Sequence, residues 1–476
     1  MKKNVRKCML VVLLVFTTVL SFGKAQKIRL VMQDYTPHNP TIVKHSEILE
    51  KEFYKATGIE IDLELVPVPR ETYSQNLNLL IMSGDIPDII WFRDDGDLLW
   101  AEQGLLTDLR PYVEKSEILQ ESMNSWNKER LENYPYILAI YPLNLKIGVT
   151  KMEWLEDLNI EIPENRPMTI DEYYEMLKKF TEKGQYGITV AGSPGGLTEL
   201  DWIFSSAFGT EKMWVKDENG NYVFSHVTPM RKEQLAFYRK IYQEKILDPE
   251  FLTTNWQAKE DKFYSGRVGM IVGTSGVVID LYADRTKKIG DGTTVIPLVP
   301  PSGPYGNAGF LAVNLYKEPR GFAIPVTSKV KDTAFKFLEF MASEQGQFLD
   351  WFGVEGIHYV KENGKIVKTQ EEWWPFFFES TNWQSPIPLL GDAGKKSLEI
   401  CSEYYVGDNY FPMPQEYATL LDAMNSIERE YSSKIVMGQF DIDKFDEFVE
   451  KWYKAGGETY TKLANEYFRS REGEQW

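Results

Sequence analysis

The sequence predicts an α/β fold divided into at least two lobes. Three observations carry that expectation. Helix-period and strand-period stretches alternate along the whole chain, with no internal repeat, low-complexity tract or long linker. Once an N-terminal export signal is set aside, about 450 residues remain, more than one hydrophobic core usually supports. The clearest unit, residues 53–97, reads as strand, helix and strand ending in a polar tip with an aromatic flank. Ligands of α/β sheets sit beyond such carboxyl strand ends.

Taken in chain order, Lys2, Lys3, Arg6 and Lys7 form a basic start, residues 9–22 an apolar run, and Gly23-Lys24-Ala25 places small residues at the −3 and −1 positions before Gln26. This reads as a cleavable signal peptide over residues 1–25, because a retained spanning helix needs about 20 apolar residues. A first strand follows at 28–32. Ile59, Ile61, Leu63 and Leu65 alternate with Glu60, Asp62 and Glu64, the period of a half-buried strand. Tyr73, Leu77, Leu80 and Ile81 then fall at i, i+4, i+7 and i+8, an amphipathic helix. Ser83-Gly84-Asp85 stops it, Pro87 starts the next segment, and Asp88-Ile89-Ile90 is a short strand opening onto Trp91, Arg93, Asp94, Asp95 and Asp97.

Thr169-Ile170-Asp171-Glu172 is a capping box ahead of Tyr173, Met176, Leu177 and Phe180, with a stop at Gly184. Asn219-Gly220 tips a β-hairpin over 216–222. An apolar strand at 268–272 leads into Gly273-Thr274-Ser275-Gly276, and a helix covers 332–342. Phe445, Phe448, Val449 and Trp452 repeat the helical spacing before Gly456-Gly457.

Composition excludes several function classes. The net charge is −17, and loss of residues 1–25 removes five positive charges and no negative one, giving about −22; such acidity opposes nucleic acid and anionic membranes. Cys401 is then the one remaining cysteine, so no intramolecular disulfide forms, and it reads as a buried apolar side chain. The chain holds no H-E-x-x-H, G-x-x-x-x-G-K-[ST], G-x-S-x-G or G-x-G-x-x-G. His38, His45, His226 and His358 are scattered, which disfavours a histidine-rich zinc site, and Asp217-Glu218-Asn219-Gly220 lacks the later bidentate Glu of a calcium loop. No metal and no cofactor are expected. A polysaccharide hydrolase or lyase needs only two apposed carboxylates, and among 70 acidic residues their spacing leaves that alternative open.

The helix, the Met82-Ser83-Gly84-Asp85-Ile86-Pro87-Asp88-Ile89 block and its strand resemble the extracellular sugar-binding components of ABC importers (family 1 solute-binding proteins). Three further blocks follow in that family's order: Phe263-Tyr264-Ser265-Gly266-Arg267-Val268-Gly269-Met270, Arg320-Gly321-Phe322-Ala323-Ile324-Pro325 and Trp351-Phe352-Gly353-Val354-Glu355-Gly356-Ile357-His358-Tyr359. The last is similar to the oligosaccharide-binding branch that includes alginate-oligosaccharide-binding proteins and lipoprotein relatives. The resemblance spans nearly the whole mature chain. It implies a two-lobed periplasmic-binding-protein fold with a hinge and a central cleft. Residues 139–142 and 295–300 resemble the family's crossings, which gives lobe one as 26–141 plus 296–347 and lobe two as 142–295 plus 348–476. It also implies a monomeric, non-enzymatic protein that captures an oligosaccharide and hands it to a membrane ABC permease. Lipoprotein relatives carry a cysteine after the apolar run; here Cys8 precedes it and position 26 is Gln, so a soluble periplasmic protein is expected. Alginate-binding relatives carry a calcium loop after the helix matching 169–181, where this chain has Glu182-Lys183-Gly184-Gln185-Tyr186-Gly187, so that site is not carried over.

A pyranose presents a flat C–H face and a rim of hydroxyls, so its site needs aromatic platforms and planar hydrogen-bonding partners. Trp91, Arg93, Asp94 and Asp95 follow a strand end directly. On this reading Trp91 is a platform whose removal abolishes binding and leaves folding intact. Asp34 and Tyr35 occupy the first strand-end loop, which the family often uses. Trp202 follows the Gly-rich residues 192–196, and Trp256 stands between Asn255 and Gln257. Ser275, within its Gly-flanked turn, offers N–H and hydroxyl groups to a sugar rim. Trp351, Glu355 and His358 belong to the family turn. Trp374 and Trp383 stand in or near the dense run Trp373-Trp374-Pro375-Phe376-Phe377-Phe378, either a stacking platform or core. Arg70, Arg93 and Arg320 are available to a uronate carboxylate or to structural ion pairs.

Overall fold

The structure, a computed structural model, describes residues 25–34, 41–69, 73–92, 97–123, 125–140, 145–193, 196–289, 294–304, 307–313, 321–362, 365–371, 373, 390–409, 411 and 413–471. Their strands are β1 (Gln26–Asp34), β2 (Ile61–Pro69), β3 (Ile89–Phe92), β4 (Lys146–Lys151), β5 (Tyr186–Ile188), β6 (Trp214–Lys216), β7 (Tyr222–Phe224), β8 (Val268–Thr274), β9 (Val295–Leu298), β10 (Gly321–Ala323), β11 (Tyr359–Glu362) and β12 (Lys365–Lys368). One sheet has the order β10-β3-β1-β2 and another β5-β8-β4-β9, with hairpins β6-β7 and β11-β12 beside them. In the first sheet β1 runs parallel to β2 and β3, and β10 lies antiparallel with Phe322 opposite Trp91. In the second, β5 and β8 are parallel and β4 runs against β8 and β9. β3 is buried throughout and β8 in all but its last residue; strands covered on both faces read as continuous apolar runs.

Each sheet has its own core. Ile28, Leu30, Phe53, Ile89, Trp91 and Phe337 pack around the first, and Ile147, Phe180, Phe204, Phe263, Met270 and Trp452 around the second. The chain leaves the first core after Ile140, enters the second at Leu145, and returns between Val313, which bridges to Gly407, and Gly321. It departs again between Trp373, stacked 4.2 Å from His45, and Gly391, whose N–H the Asp280 carboxylate accepts at 2.8 Å.

Two expected boundaries therefore move. A return at 296 is too early, because β9 pairs with β4 (Gly148 opposite Leu298) and Phe310 joins the second core. An exit at 348 is also too early, because Leu349 packs in the first core and Trp373 is anchored there. A short apolar strand carries no sign of which sheet it will join.

The motif blocks have structural roles. Gly84 has φ +73° and ends the helix Tyr73–Ser83. The Asp88 carboxylate accepts the Arg29 N–H at 3.0 Å and the Ser328 hydroxyl at 2.6 Å, tying β1 to the approach of the helix Lys331–Ala342. The capping box forms as expected: Thr169 Oγ1 accepts the Glu172 N–H at 3.2 Å, and the Glu172 carboxylate accepts the Thr169 N–H at 2.8 Å and a two-pronged contact from Arg166. That helix, Ile170–Lys183, lays Phe180 against Gly269, where any Cβ would stand 2.4 Å from the ring. Asn219-Gly220 makes the expected hairpin tip, with Gly220 at φ +79° and Asp217 accepting the N–H groups of Asn219 and Asn221. At Gly456-Gly457 the helical path kinks and continues. Gly456 takes φ +142°, and a π turn, Tyr453–Gly457, joins Lys444–Trp452 to Glu458–Ser470.

Candidate functional site

The carboxyl ends of β1 and β3, and those of β5 and β8, adjoin the places where the chain passes between the cores. Phe92 at the end of β3 pairs with Gly321, and Thr274 at the end of β8 pairs with Lys146. Both sheets thus direct their ligand-competent edges toward the connecting segments.

On the second sheet's edge the side chains converge on Trp256, the first residue of the helix Trp256–Tyr264, which Asn255 caps by accepting the Ala258 N–H at 2.9 Å. The half-buried indole donates its Nε1–H to Glu260 Oε1 at 2.6 Å, one helical turn on. Glu260 Oε2 accepts Arg285 Nη1 at 3.0 Å. Lys259 Nζ lies 3.5 Å from the ring centroid and Lys146 Nζ 4.4 Å, the latter also donating to Thr274 Oγ1 at 2.7 Å. Burial pushes the Lys259 ammonium below its usual value against the pull of Glu199. Tyr264 and Tyr282, near Glu260, are neutral phenols raised above their ordinary value by burial first and by Glu260 second. Trp202 stands half-buried on the helix Thr198–Phe208, its carbonyl accepting the Leu311 N–H at 3.2 Å just before the return crossing. Together these groups offer aromatic surface, with planar and cationic hydrogen-bonding groups around it.

A groove of 780 Å³ runs elsewhere, along β9 and the helix Asp392–Tyr404, with Ile160, Ile162, Ile296 and Ile400 in its walls. It contains none of the Trp256 cluster and lies on the flank of the second sheet. The candidate edge is thus marked by strand-end position and not by cavity size. Among the described residues no group of three or more His, Cys, Asp or Glu is placed to hold a metal ion, and no helix is long and apolar enough to cross a membrane.

Residues 45–348 match the bacterial extracellular solute-binding protein family. The chain belongs to this family. It is 23% identical to lipoprotein LipO of Bacillus subtilis, with 94% of this chain and 93% of that protein covered. It is likewise 23% identical to the polygalacturonan/rhamnogalacturonan-binding protein YtcQ of Bacillus subtilis, covering 88% and 87%. Among solved structures, alginate-binding protein AlgQ2 without calcium ion superposes with a TM-score of 0.66 at 19% identity, covering 93% of this chain and 98% of that one. The N-glycan transport solute binding protein NgtS of Streptococcus pneumoniae also gives 0.66, at 15% identity and 94% and 100% coverage. These likenesses establish the two-lobed α/β solute-binding fold, and the family and these neighbours are binding proteins.

Within this solute-binding fold the sequence-derived candidates separate. Trp256 stands beside Lys146 and the end of β8, and Trp202 lies on the helix Thr198–Phe208, with its carbonyl bonded to the Leu311 N–H. Trp91 does not face a cleft: it lies inside β3 at 1% exposure, because the strand runs on through Phe92 and buries both faces. Ser275 is also withdrawn from any ligand, since its N–H donates to Leu145 O at 2.9 Å and its Oγ accepts the Leu145 N–H at 3.1 Å. His358 is buried in the family turn, where Nδ1 accepts the Val354 N–H at 2.9 Å and the ring lies tilted against Trp373, 4.8 Å between centroids. Trp351 is half-buried on the helix Glu344–Phe352, beside Phe352 in the first lobe. Asp34 ends β1 opposite Pro69. Tyr35, Arg70, Arg93, Asp94, Asp95, Arg320, Trp374 and Trp383 lie outside the described residues. The residues missed from sequence are Lys146, Glu199, Lys259, Glu260, Thr274 and Arg285. Glu260 and Lys259, at i+4 and i+3 from Trp256 behind an Asn cap, were within reach of helical spacing; Lys146 meets the ring, and Glu199, Thr274 and Arg285 meet its partners, only through sheet pairing and helix packing.

Proposed function

We propose that this solute-binding protein captures an oligosaccharide between its lobes, closes about the connecting segments and delivers the ligand to a membrane ABC permease, making and breaking no bond. The observation that carries this reading is Trp256, a half-buried indole pinned by Glu260 at the carboxyl end of β8 beside the first crossing. Such a ring stacks on a pyranose face while polar groups around it meet hydroxyls. The polygalacturonan/rhamnogalacturonan, alginate and N-glycan ligands in the relatives' names support the substrate class. Contacts from both lobes exist together only in a closed state, so ligand shifts that population. The carboxylates of the cluster argue against a hydrolase, because Glu199 and Glu260 are each committed to a cation and an N–H donor. We further infer cleavage after Ala25 and a soluble, monomeric periplasmic protein; β1 begins at Gln26, immediately after that site. Titrating the mature protein with neutral and uronic-acid oligosaccharides, while assaying each sugar for cleavage, tests the reading: saturable binding with intact ligand is expected, and products or no binding would overturn it.

A further inference from the structure

The ion pair beneath Trp256 is buried more completely than a stabilising role requires. Lys259, 0% exposed along its side chain, donates to Glu199 Oε1 at 2.7 Å and to Val272 O at 2.6 Å. The other Glu199 oxygen accepts the Ala191 N–H at 2.7 Å. The ion pair thereby joins four pieces of the proposed ligand-facing edge: the end of β8, the segment after β5, and the first turns of the helices Thr198–Phe208 and Trp256–Tyr264. Taking two charges out of water offsets most of their attraction, and apolar residues of similar volume often stabilise as well. What the pair adds is direction, through fixed hydrogen bonds and a charge fixed 3.5 Å from the indole. The edge of the same ring is held by Glu260, itself braced by Arg285 from the helix Val277–Ile289. The indole cannot turn without losing one of these contacts.

We propose that Lys259 and Glu199 are positioning residues, a buried pair that sets the Trp256 indole and the backbone after β5 in their ligand-ready arrangement before any ligand arrives. The proposal rests on the reading of Trp256 as a sugar platform. Preset groups bind more tightly because less ordering remains to be done at the moment of binding.

The test uses the mature protein labelled with 5-fluorotryptophan, with the Trp256 fluorine resonance assigned by Trp256→Phe. The paired variant Glu199→Leu with Lys259→Met removes both charges at similar volume. It is expected to fold and melt near the wild type, to displace or broaden the sugar-free Trp256 resonance, and to bind oligosaccharide about tenfold or more weakly. A folded paired variant with an unchanged Trp256 resonance and unchanged affinity overturns the proposal. Should the paired variant fail to fold, Lys259→Arg keeps the charge and changes its reach; a displaced resonance with weakened binding supports positioning, and wild-type values of both overturn it. The sugar-free resonance reports on the pair alone. A wild type that binds no oligosaccharide therefore defeats the platform reading separately from the positioning one.

Discussion

The hydroxyl of Tyr73 donates to the main-chain carbonyl of Trp91 at 2.6 Å, and the two rings meet edge to face with 5.7 Å between centroids. Trp91 is thus a core residue of the first lobe, locked by the helix that precedes its strand. Trp91→Ala is expected to remove about 3–5 kcal/mol of stability through lost burial and the cavity left behind. Urea unfolding of the ligand-free protein measures this; a variant as stable as the wild type contradicts the placement.

Asp88 holds the Arg29 N–H with one carboxylate oxygen and the Ser328 hydroxyl with the other. Asp88→Asn leaves an oxygen for the Arg29 N–H but turns a donor toward Ser328, so the Ser328 hydroxyl must reverse from donor to acceptor and both bonds lose the help of the carboxylate charge. The expected loss is about 1–3 kcal/mol. Ser328→Ala in the same background should add little, and full additivity of the two changes would speak against the shared bond.

Burial, reinforced by His45, holds the His358 imidazole below its ordinary value of 6.5. Its Nδ1 accepts the Val354 N–H, a bond that protonation removes. Since the folded-state value is the depressed one, the contribution of His358 to stability is complete above 6.5 and declines as pH falls through that value toward the folded one. Unfolding free energy is expected to drop between about pH 7.5 and pH 5.5, and less so in His358→Leu. Parallel slopes for the two proteins would show that this turn does not titrate.

Cys401 is fully buried, and burial pushes its thiol up to about 11. The native mature protein is expected to ignore a thiol reagent such as Ellman's and to release one equivalent per chain in guanidinium. Rapid native labelling would mean that the helix Asp392–Tyr404 opens readily.

Much of the local structure was legible because it depends on near neighbours. The alternation from Ile59 to Leu65, the Thr169–Glu172 box and Asn219-Gly220 each became the expected element. What sequence concealed were relations across long separations. Ending the strand at Ile90 exposed Trp91 on paper, whereas pairing with β1 and β10 carries it to Phe92 and buries it. The run Val295–Leu298 gave no indication that its partner was β4 rather than the first sheet. Ser275 looked available until Leu145, 130 residues away, took both its polar groups. At the candidate site, Trp256 was legible only as an aromatic between Asn255 and Gln257, and Lys146 and Arg285 were not legible, since only tertiary packing brings Lys146 over the ring and Arg285 to Glu260.

The most direct test of oligosaccharide capture is the melting temperature of the mature protein across neutral and uronic-acid oligosaccharides of graded length, run in parallel on Trp256→Ala. A specific ligand at a hundredfold excess over its dissociation constant stabilises by about 2.7 kcal/mol. At least one glycan is expected to raise the wild-type melting temperature while remaining intact, and that rise to vanish in Trp256→Ala. No shift with any glycan, or an undiminished shift in the variant, would contradict it.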